Sequence, residues 1–128
     1  MGHAEGLAAG GEDPGADVHY ISPDGKQEVV ANSALASGNL METWQASEQN
    51  ARQGPDYWKI RLTEATFRGW PAVVWEYTFT ITGTHWHALL VGFIAYGKSY
   101  RIGTWYQSDI ETEALKTYSV VKDSFTVL

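Results

Sequence analysis

The sequence contains no cysteine, so disulfide bonds, thiolate metal sites and cysteine nucleophiles are all excluded. Basic residues are also scarce: 9 Lys and Arg stand against 15 Asp and Glu, a formal net charge of −6. Because binding to a phosphate backbone requires a basic surface, this balance argues against a nucleic-acid partner. No window approaches the roughly 18 consecutive apolar residues of a membrane span, so we expect no membrane insertion by this chain itself.

Aromatic residues, by contrast, make up 13% of the 128-residue chain and include 6 Trp and 7 Tyr. Residues 1–16 are rich in Gly, Ala and acidic residues and have no apolar periodicity. Such a segment buries too little apolar surface to offset the entropy of ordering, so we interpret it as a disordered linker or a cloning remnant. Residues 17–128 are predicted to form a single domain.

The apolar periodicity of this domain predicts the order β-β-α-β-β-β-β-α, which is an α+β fold built on a mostly antiparallel meander of about six strands. Asp24-Gly25 indicates a hairpin turn between the first two strands. Asn39 with Glu42, and Ser108 with Glu111, are two predicted capping boxes that begin the two helices.

Short turns in the central segment allow the strand register to be predicted. We place them at Arg68-Gly69, Gly83-Thr84 and Gly97-Lys98. The first turn implies the following cross-strand pairs: Leu62 with Trp75, Ile60 with Tyr77, Trp58 with Phe79, and Arg61 with Glu76. The first three pairs share one apolar face, and Arg61 and Glu76 lie on the opposite face.

This register assigns most of the aromatic residues to the core. Trp58, Trp75 and Trp105 fall on the apolar face, and Trp44 falls on the apolar side of the first helix. Trp70 and Trp86 lie next to turns, where either burial or exposure is compatible with the pattern.

The opposite face of the sheet changes from polar to apolar along its strands, as expected of a concave binding site or a partner surface. The candidate binding surface consists of Arg61, Glu76, His85, His87, Trp70, Trp86, Tyr100 and Tyr106. The alternative is that the closing helix covers the apolar part of this face, namely Leu89, Val91, Phe93 and Ile102, and leaves an ordinary solvated edge.

Signals for catalysis or metal binding are weak. His85 and His87 have the spacing of paired metal ligands on one strand, but no carboxylate stands at an obvious third-ligand position. Arg61 with Glu76 is typical of a cross-strand ion pair. Because common phosphate-binding, zinc-protease and nucleophile-elbow motifs are absent, we predict no catalytic residue, no metal and no cofactor.

Several short stretches carry a resemblance to a known family. They are Tyr20–Gly25 (YISPDG), Trp44–Glu48 (WQASE), Phe67–Ala72 (FRGWPA), Trp75–Thr78 (WEYT), Gly92-Phe93, Gly97–Tyr100 (GKSY) and Ser124-Phe125. Together they resemble the extracytoplasmic C-terminal domain of some actinobacterial Ser/Thr protein kinases. That domain is similar to the PsbP-like fold, which is shared with LpqN-type lipoproteins, and the resemblance covers roughly residues 18–126.

This resemblance implies a PsbP-like α/β/α sandwich that acts as a non-enzymatic sensor or accessory module outside the cell membrane. It would present a surface or shallow pocket to an unknown small ligand or protein partner. One alternative is a stand-alone secreted or lipoprotein-type small-molecule binder. A third possibility is a small cavity enzyme of the nuclear-transport-factor-two-like kind, which would require His85, His87 and Tyr106 inside a closed cavity.

Overall fold

The computed structural model describes residues 16–35 and 38–125. Within these ranges the predicted order of six strands and two α-helices is confirmed. The elements are β1 Ala16–Ile21, β2 Gln27–Leu35, α1 Leu40–Ala51, β3 Trp58–Phe67, β4 Trp70–Ile81, β5 Thr84–Ala95, β6 Lys98–Gln107, a 3₁₀ turn Ser108–Ile110, and α2 Glu111–Ser124. The predicted linker lies outside the described residues except for Ala16, where β1 begins.

All neighbouring strands are antiparallel, in the spatial order β1-β2-β6-β5-β4-β3. One core lies between α1 and the first face of the sheet, where Trp44, Trp75 and Trp105 are buried as predicted. A second core lies between α2 and the opposite face. The helices therefore cover opposite faces, and the predicted α/β/α sandwich is confirmed.

The second core decides between the two interpretations of the half-polar face. Val91, Phe93 and Ile102 are buried beneath α2, and Leu89 is half-buried against the same cluster. Ala114 and Tyr118 are the buried positions of α2 itself. The closing helix thus covers the apolar part of the face, and only its polar end remains accessible.

The start of α1 agrees with the prediction, whereas the start of α2 does not. Asn39 caps α1, since its side-chain oxygen accepts the backbone N–H of Glu42 at 3.0 Å. The predicted capping box of Ser108 with Glu111 is wrong: Ser108 begins the 3₁₀ turn, and Ile110 caps α2 without a side-chain hydrogen bond. The Glu111 carboxylate instead accepts a hydrogen bond from Tyr106, so it does not reach back to the helix start.

Three hairpin turns have two residues each, and in each both residues have positive φ: Arg68-Gly69, Thr82-Gly83 and Tyr96-Gly97. This is the pattern of type I′ turns, in which glycine at the second position avoids a Cβ clash. The first turn is where the register predicts it, and the other two begin one residue earlier. Moving a two-residue turn by one position changes the pairing by two, so the predicted faces are unchanged.

The register of β3 departs from prediction at a β-bulge. Arg61 lies opposite Glu76 and Leu62 opposite Trp75 as predicted, but the pairing shifts between Lys59 and Arg61. Trp58 consequently pairs with Thr78 rather than Phe79 and is 70% exposed, so its assignment to the core is wrong. The extra residue, Ile60, is 46% exposed and does not face Tyr77.

The Arg68-Gly69 turn also contacts the end of α2. The Arg68 guanidinium donates to the backbone carbonyl of Phe125 at 2.7 Å, to that of Lys122 at 2.8 Å and to that of Asp123 at 3.2 Å. The last carbonyls of a helix have no partner within the helix, and Arg68 supplies one. The β3–β4 hairpin and the C-terminal helix are thereby joined.

Candidate functional site

Four of the eight predicted surface residues meet in one polar cluster, which we call the His87 cluster: Arg61, Glu76, His87, Tyr106 and, in addition, Glu111. Antiparallel pairing brings the first three together, since Arg61 on β3 lies opposite Glu76 on β4, and β5 places His87 beside them. Glu111 comes from the first turn of α2. It was missed because its spacing from Ser108 indicated a helix cap.

Each imidazole nitrogen of His87 faces a carboxylate. Nε2 lies 2.7 Å from Glu76 Oε2, and Nδ1 lies 3.3 Å from Glu111 Oε2. The other oxygen of Glu76 accepts the Arg61 Nε–H at 3.1 Å, and the Tyr106 hydroxyl donates to Glu111 Oε2 at 2.9 Å. Burial, reinforced by the Glu111 carboxylate, raises the pKa of Tyr106, so its hydroxyl stays a donor.

This geometry favours a structural connection over acid–base chemistry. An imidazole ring has a polar atom on each side, and in His87 each of these atoms faces a carboxylate of the protein itself. The ring also stacks on Tyr106 with centroids 5.1 Å apart and is largely covered. The His87 cluster therefore connects β3, β4 and β5 to the start of α2.

The remaining predicted surface residues lie elsewhere. His85 is exposed at the start of β5, and Trp70 is half-buried with its ring stacked on Phe93 at 5.7 Å. Trp86 and Tyr100 are buried, at 4% and 3% exposure.

Burial corrects the predicted binding surface for three of its members. Trp86 belongs to the core beneath α1, because it stacks on Phe79 across the β4–β5 hairpin. Tyr100 belongs to the core beneath α2, and Tyr106 is only 1% exposed. None of the three presents a ring to solvent.

The structure also contains a cleft that the sequence did not indicate. It measures about 440 Å³ and lies between α1 and the β2–β6 side of the sheet. We call it the Arg101 cleft. Gly92 allows α1 to approach the sheet at one side of it, since any Cβ at this position would overlap the indole ring of Trp44.

Aromatic residues form the floor of the Arg101 cleft. The polar atoms of Trp75, Tyr77 and Trp105 are already bonded: Trp75 Nε1 donates to the hydroxyl of Tyr57, which does not line this cleft, and Trp105 Nε1 donates to the Tyr77 hydroxyl, each at 3.1 Å. The floor thus presents mainly ring carbon. Burial raises the pKa of Tyr57 to about 12, and that of Tyr77 is also raised by burial, so both hydroxyls stay protonated at neutral pH.

Polar side chains surround this floor. Asn32 comes from β2, Ser99 and Arg101 from β6, and Thr43 and Ser47 from α1. Arg101 is the single charged residue among the described lining residues. An aromatic floor with a few convergent polar groups is typical of small-molecule sites.

A second cleft, of about 490 Å³, adjoins the first, because Ala51 and Tyr77 line both. Its other walls are mainly apolar and include Pro55, Phe79 and Ile81. We call it the Phe79 cleft. Alternation along β6 places Ser99, Arg101 and Trp105 on one face, and this is the signal in the sequence that could have pointed to the Arg101 cleft. The position of α1 above that face was not predictable.

The histidine-based alternatives find no support in this geometry. Neither His85 nor His87 lines the Arg101 cleft or the Phe79 cleft, so neither of these clefts is the closed, histidine-lined cavity that a nuclear-transport-factor-two-like enzyme requires. In the part of the chain that the structure describes, no group of three or more His, Asp or Glu side chains is arranged to hold a metal ion.

Comparison with known proteins relates the chain to one sequence family. The model of the serine/threonine kinase C-terminal domain family matches residues 5–127. None of the curated proteins matches the sequence significantly.

Solved structures of low sequence identity share the fold. PsbP (CyanoP) from Synechocystis sp. PCC 6803 aligns with a TM-score of 0.65 at 17% identity, over 92% of this chain and 78% of its own. PA94 of Pseudomonas aeruginosa, of unknown function, aligns with a TM-score of 0.62 at 10% identity, over 80% and 73%. LpqN, involved in cell envelope biogenesis of Mycobacterium tuberculosis, aligns with a TM-score of 0.61 at 12% identity, over 80% of this chain and 64% of LpqN. The predicted PsbP-like fold is confirmed.

Proposed function

The chain belongs to the serine/threonine kinase C-terminal domain family, and from this membership we propose that it is a non-catalytic, ligand-sensing domain of a receptor-type Ser/Thr kinase, located outside the cell membrane. The observation that carries the proposal is the family match over residues 5–127, which includes the whole sandwich. No kinase motif occurs in the sequence, so the domain would act on a kinase rather than as one.

The clefts beside α1 support a ligand-binding role. Sites for small molecules commonly have volumes of about 300–1,000 Å³ and combine apolar walls with a few placed polar groups. The Arg101 cleft, at about 440 Å³, has both features. The His87 cluster, in contrast, has its polar atoms directed at one another, so we assign it to the stability of the fold.

The extracytoplasmic location is supported by the family resemblance and is compatible with the likeness to LpqN, which is involved in cell envelope biogenesis. Neither α-helix in the described ranges is long and apolar enough to cross a membrane.

The absence of cysteine provides a direct test of location. Val120 is 68% exposed on α2, so Val120→Cys in the natural full-length protein adds one accessible thiol to this domain. We expect a membrane-impermeant maleimide to label the variant in intact cells, and the unsubstituted full-length protein serves as the control. Labelling only after the cells are permeabilised would contradict an extracytoplasmic location.

A thermal-shift screen of the purified domain tests the sensing role. The screen should include metals, lipids, sugars and cell-wall fragments. A true ligand at 100 times its Kd adds roughly 2.7 kcal/mol of stability, a readily measured shift. A uniformly flat screen would contradict the small-ligand form of the proposal and favour a protein partner.

The alternative of a stand-alone secreted or lipoprotein-type binder shares the fold and the clefts. Its support is the structural likeness to LpqN. Detection of the domain in cells separates the two: a receptor kinase carries it on a polypeptide long enough to contain a kinase domain, whereas a stand-alone binder does not.

A further inference from the structure

We propose that the Arg101 cleft is a site for a small neutral carbohydrate. This inference rests on the proposed ligand-binding function and names the chemical class of the ligand. It is carried by the arrangement of the cleft, in which uncharged polar side chains on two facing walls lie above a floor of aromatic carbon.

The wall on the sheet side offers both donors and acceptors. Asn32 on β2 and Ser99 on β6 line the cleft from paired strands, and both are half-buried. Within the described ranges, neither side chain makes a hydrogen bond to the protein. An amide and a hydroxyl can each donate and accept, so a ligand hydroxyl that reaches this wall is satisfied in either role.

The wall on the helix side offers acceptors. Thr43 and Ser47 lie one turn apart on α1, and both line the cleft. The Thr43 hydroxyl donates to the carbonyl of Asn39 and the Ser47 hydroxyl to that of Thr43, so each hydrogen is used while each oxygen can still accept. A sugar carries adjacent hydroxyls that both donate and accept. It can therefore donate to the helix wall and exchange hydrogen bonds with the sheet wall.

The floor of the cleft suits the carbon face of a sugar ring. Trp75 and Trp105 each use Nε1 within the protein, and the Tyr77 hydroxyl accepts from Trp105, so these residues present mainly ring carbon to the cleft. A pyranose ring has C–H groups on its faces and hydroxyls around its edge. It can place a face on the floor and its hydroxyls against the walls, whereas a wholly apolar ligand would leave the polar walls without partners.

The charges around the cleft favour a neutral ligand. No Asp or Glu occurs among the described residues that line it, so an ammonium group would find no counter-ion there. The Arg101 guanidinium already interacts within the protein, so an anion would have to compete for it. A neutral sugar binds without the cost of removing a charge from water.

Matched sugars test the class of ligand. The neutral probes are the methyl glycosides of glucose, galactose, mannose and N-acetylglucosamine, together with maltose and cellobiose, added to the whole chain and followed by saturation-transfer NMR. We expect at least one of them to bind with a millimolar or lower Kd, and the matching uronate and amino sugar to bind about tenfold or more weakly. The absence of binding by every neutral probe at millimolar concentration, or tighter binding of a charged counterpart, would overturn the proposal.

Variants assign the binding to the cleft. Ser47→Leu fills the cleft and should weaken sugar binding by about tenfold or more, whereas Ala46→Leu, which adds the same side chain at the adjacent exposed position of α1 outside the cleft, should not. Asn32→Ala should weaken binding by about fivefold, whereas Asn50→Ala, at an exposed position outside the cleft, should not. Leucine favours helix formation, so Ser47→Leu provides an independent test if Asn32→Ala fails to fold. Unchanged affinity in the folded cleft variants would overturn the assignment.

Insoluble glycans identify the source of the sugar. Cosedimentation with purified cell-wall polysaccharide that is lost in Ser47→Leu would indicate an envelope glycan, and binding of the small sugars alone would indicate a soluble sugar; both support the site. The outcome is separable from that of the proposed function. If no neutral sugar binds but another compound shifts the melting temperature, only this inference is wrong, whereas inaccessibility of Val120→Cys in intact cells contradicts the proposed function.

Discussion

Replacing Arg68 with alanine should loosen the C-terminal end of α2, although Arg68 lies outside both the helix and the core. The substitution removes three hydrogen bonds to the carbonyls of Lys122, Asp123 and Phe125. It also removes a guanidinium that lies 4.9 Å from the centre of the Phe67 ring. Alanine and arginine both carry a Cβ, so the strain of φ 53° at this turn position is nearly unchanged.

The geometry sets the size of the effect. The bond to Phe125 is short and partly buried, and a bond from a charged donor contributes about 1.5–3 kcal/mol. The two bonds to Lys122 and Asp123 are exposed, where a cation at a helix C-terminus contributes about 0.3–1 kcal/mol. Taking the lower part of each range gives a loss of about 2 kcal/mol, or roughly 8 °C in Tm for a domain of this size.

Urea unfolding, followed by tryptophan fluorescence and far-ultraviolet circular dichroism, measures the loss. Hydrogen exchange at the amides of α2 tests whether the loosening is local, with the fastest exchange expected near Lys122. Arg68→Lys keeps the charge but not the planar fork, so its loss should be intermediate. A change of less than about 0.5 kcal/mol for Arg68→Ala would refute the reasoning, since that is the size expected of an ordinary surface substitution.

Three further predictions concern burial and backbone strain. Glu28→Gln should be more stable than the native protein at pH 7 but not at about pH 4. Burial raises the pKa of the Glu28 carboxyl above its ordinary 4.5, so the stability of the native protein falls as the pH rises from 4.5 through the raised pKa of the folded state. Urea unfolding at both pH values checks the sign. Gly92→Ala should lower stability by about 1–3 kcal/mol in the same assay, because its methyl group overlaps the Trp44 ring. Gly103→Ala, where the new Cβ would lie 3.0 Å from the Leu90 side chain, should lose less, and an equal loss would contradict this mechanism. Thr82→Asn should raise stability by about 0.5–1 kcal/mol, since asparagine tolerates positive φ better than a β-branched residue, and an unchanged melting temperature would contradict a strained turn.

The sheet was predictable because side chains alternate with a period of two. Gly83 and Gly97 were correctly placed in turns, but as the first rather than the second residue of each turn. The preference of type I′ turns for glycine at the second position would have corrected both. Since the error changed each pairing by two residues, Trp75, Tyr77 and Trp105 were still assigned to the correct face.

The β-bulge in β3 was not predictable because its cause is tertiary. Trp58, Ile60 and Leu62 alternate without interruption in the sequence. In the fold, the bulge turns Lys59 toward α1, where its Nζ lies 3.5 Å from a carboxylate oxygen of Glu48. Glu48 is only 4% exposed, so the ion pair partly offsets the unfavourable burial of its charge, and Trp58 takes the outward position.

In the candidate sites, too, the contacts set by strand register were predictable, whereas those set by the positions of the helices were not. Strand register alone predicted the pairing of Arg61 with Glu76, and His87 lies beside them on the next strand. Glu111 required knowledge of where α2 begins relative to β5. The Arg101 cleft depends on the tilt of α1 over β2 and β6, which no spacing within a single element encodes.

The unequal attachment of the two helices gives a physical reason for the position of the clefts. Polar contacts join α2 to the sheet along its whole length. In its middle, Tyr118 donates to the carbonyl of Ile102 at 2.8 Å, and Gln27 donates to the carbonyl of Ala114 at 2.9 Å. At its ends, His87 contacts Glu111 and Arg68 donates to the carbonyl of Phe125.

Within the described ranges, α1 has polar contacts to the sheet and its adjoining loop only through Glu48, which meets Tyr57 and Lys59 on the β3 side. On the β2–β6 side, the Thr43 hydroxyl donates to the carbonyl of Asn39, and the Ser47 hydroxyl donates to the carbonyl of Thr43. Neither of these bonds crosses the cleft to the sheet. The first helix is therefore fixed along one edge and open along the other. A ligand in the Arg101 cleft would supply the missing contacts on the open edge, and the increase in protection of α1 amides on binding would measure them.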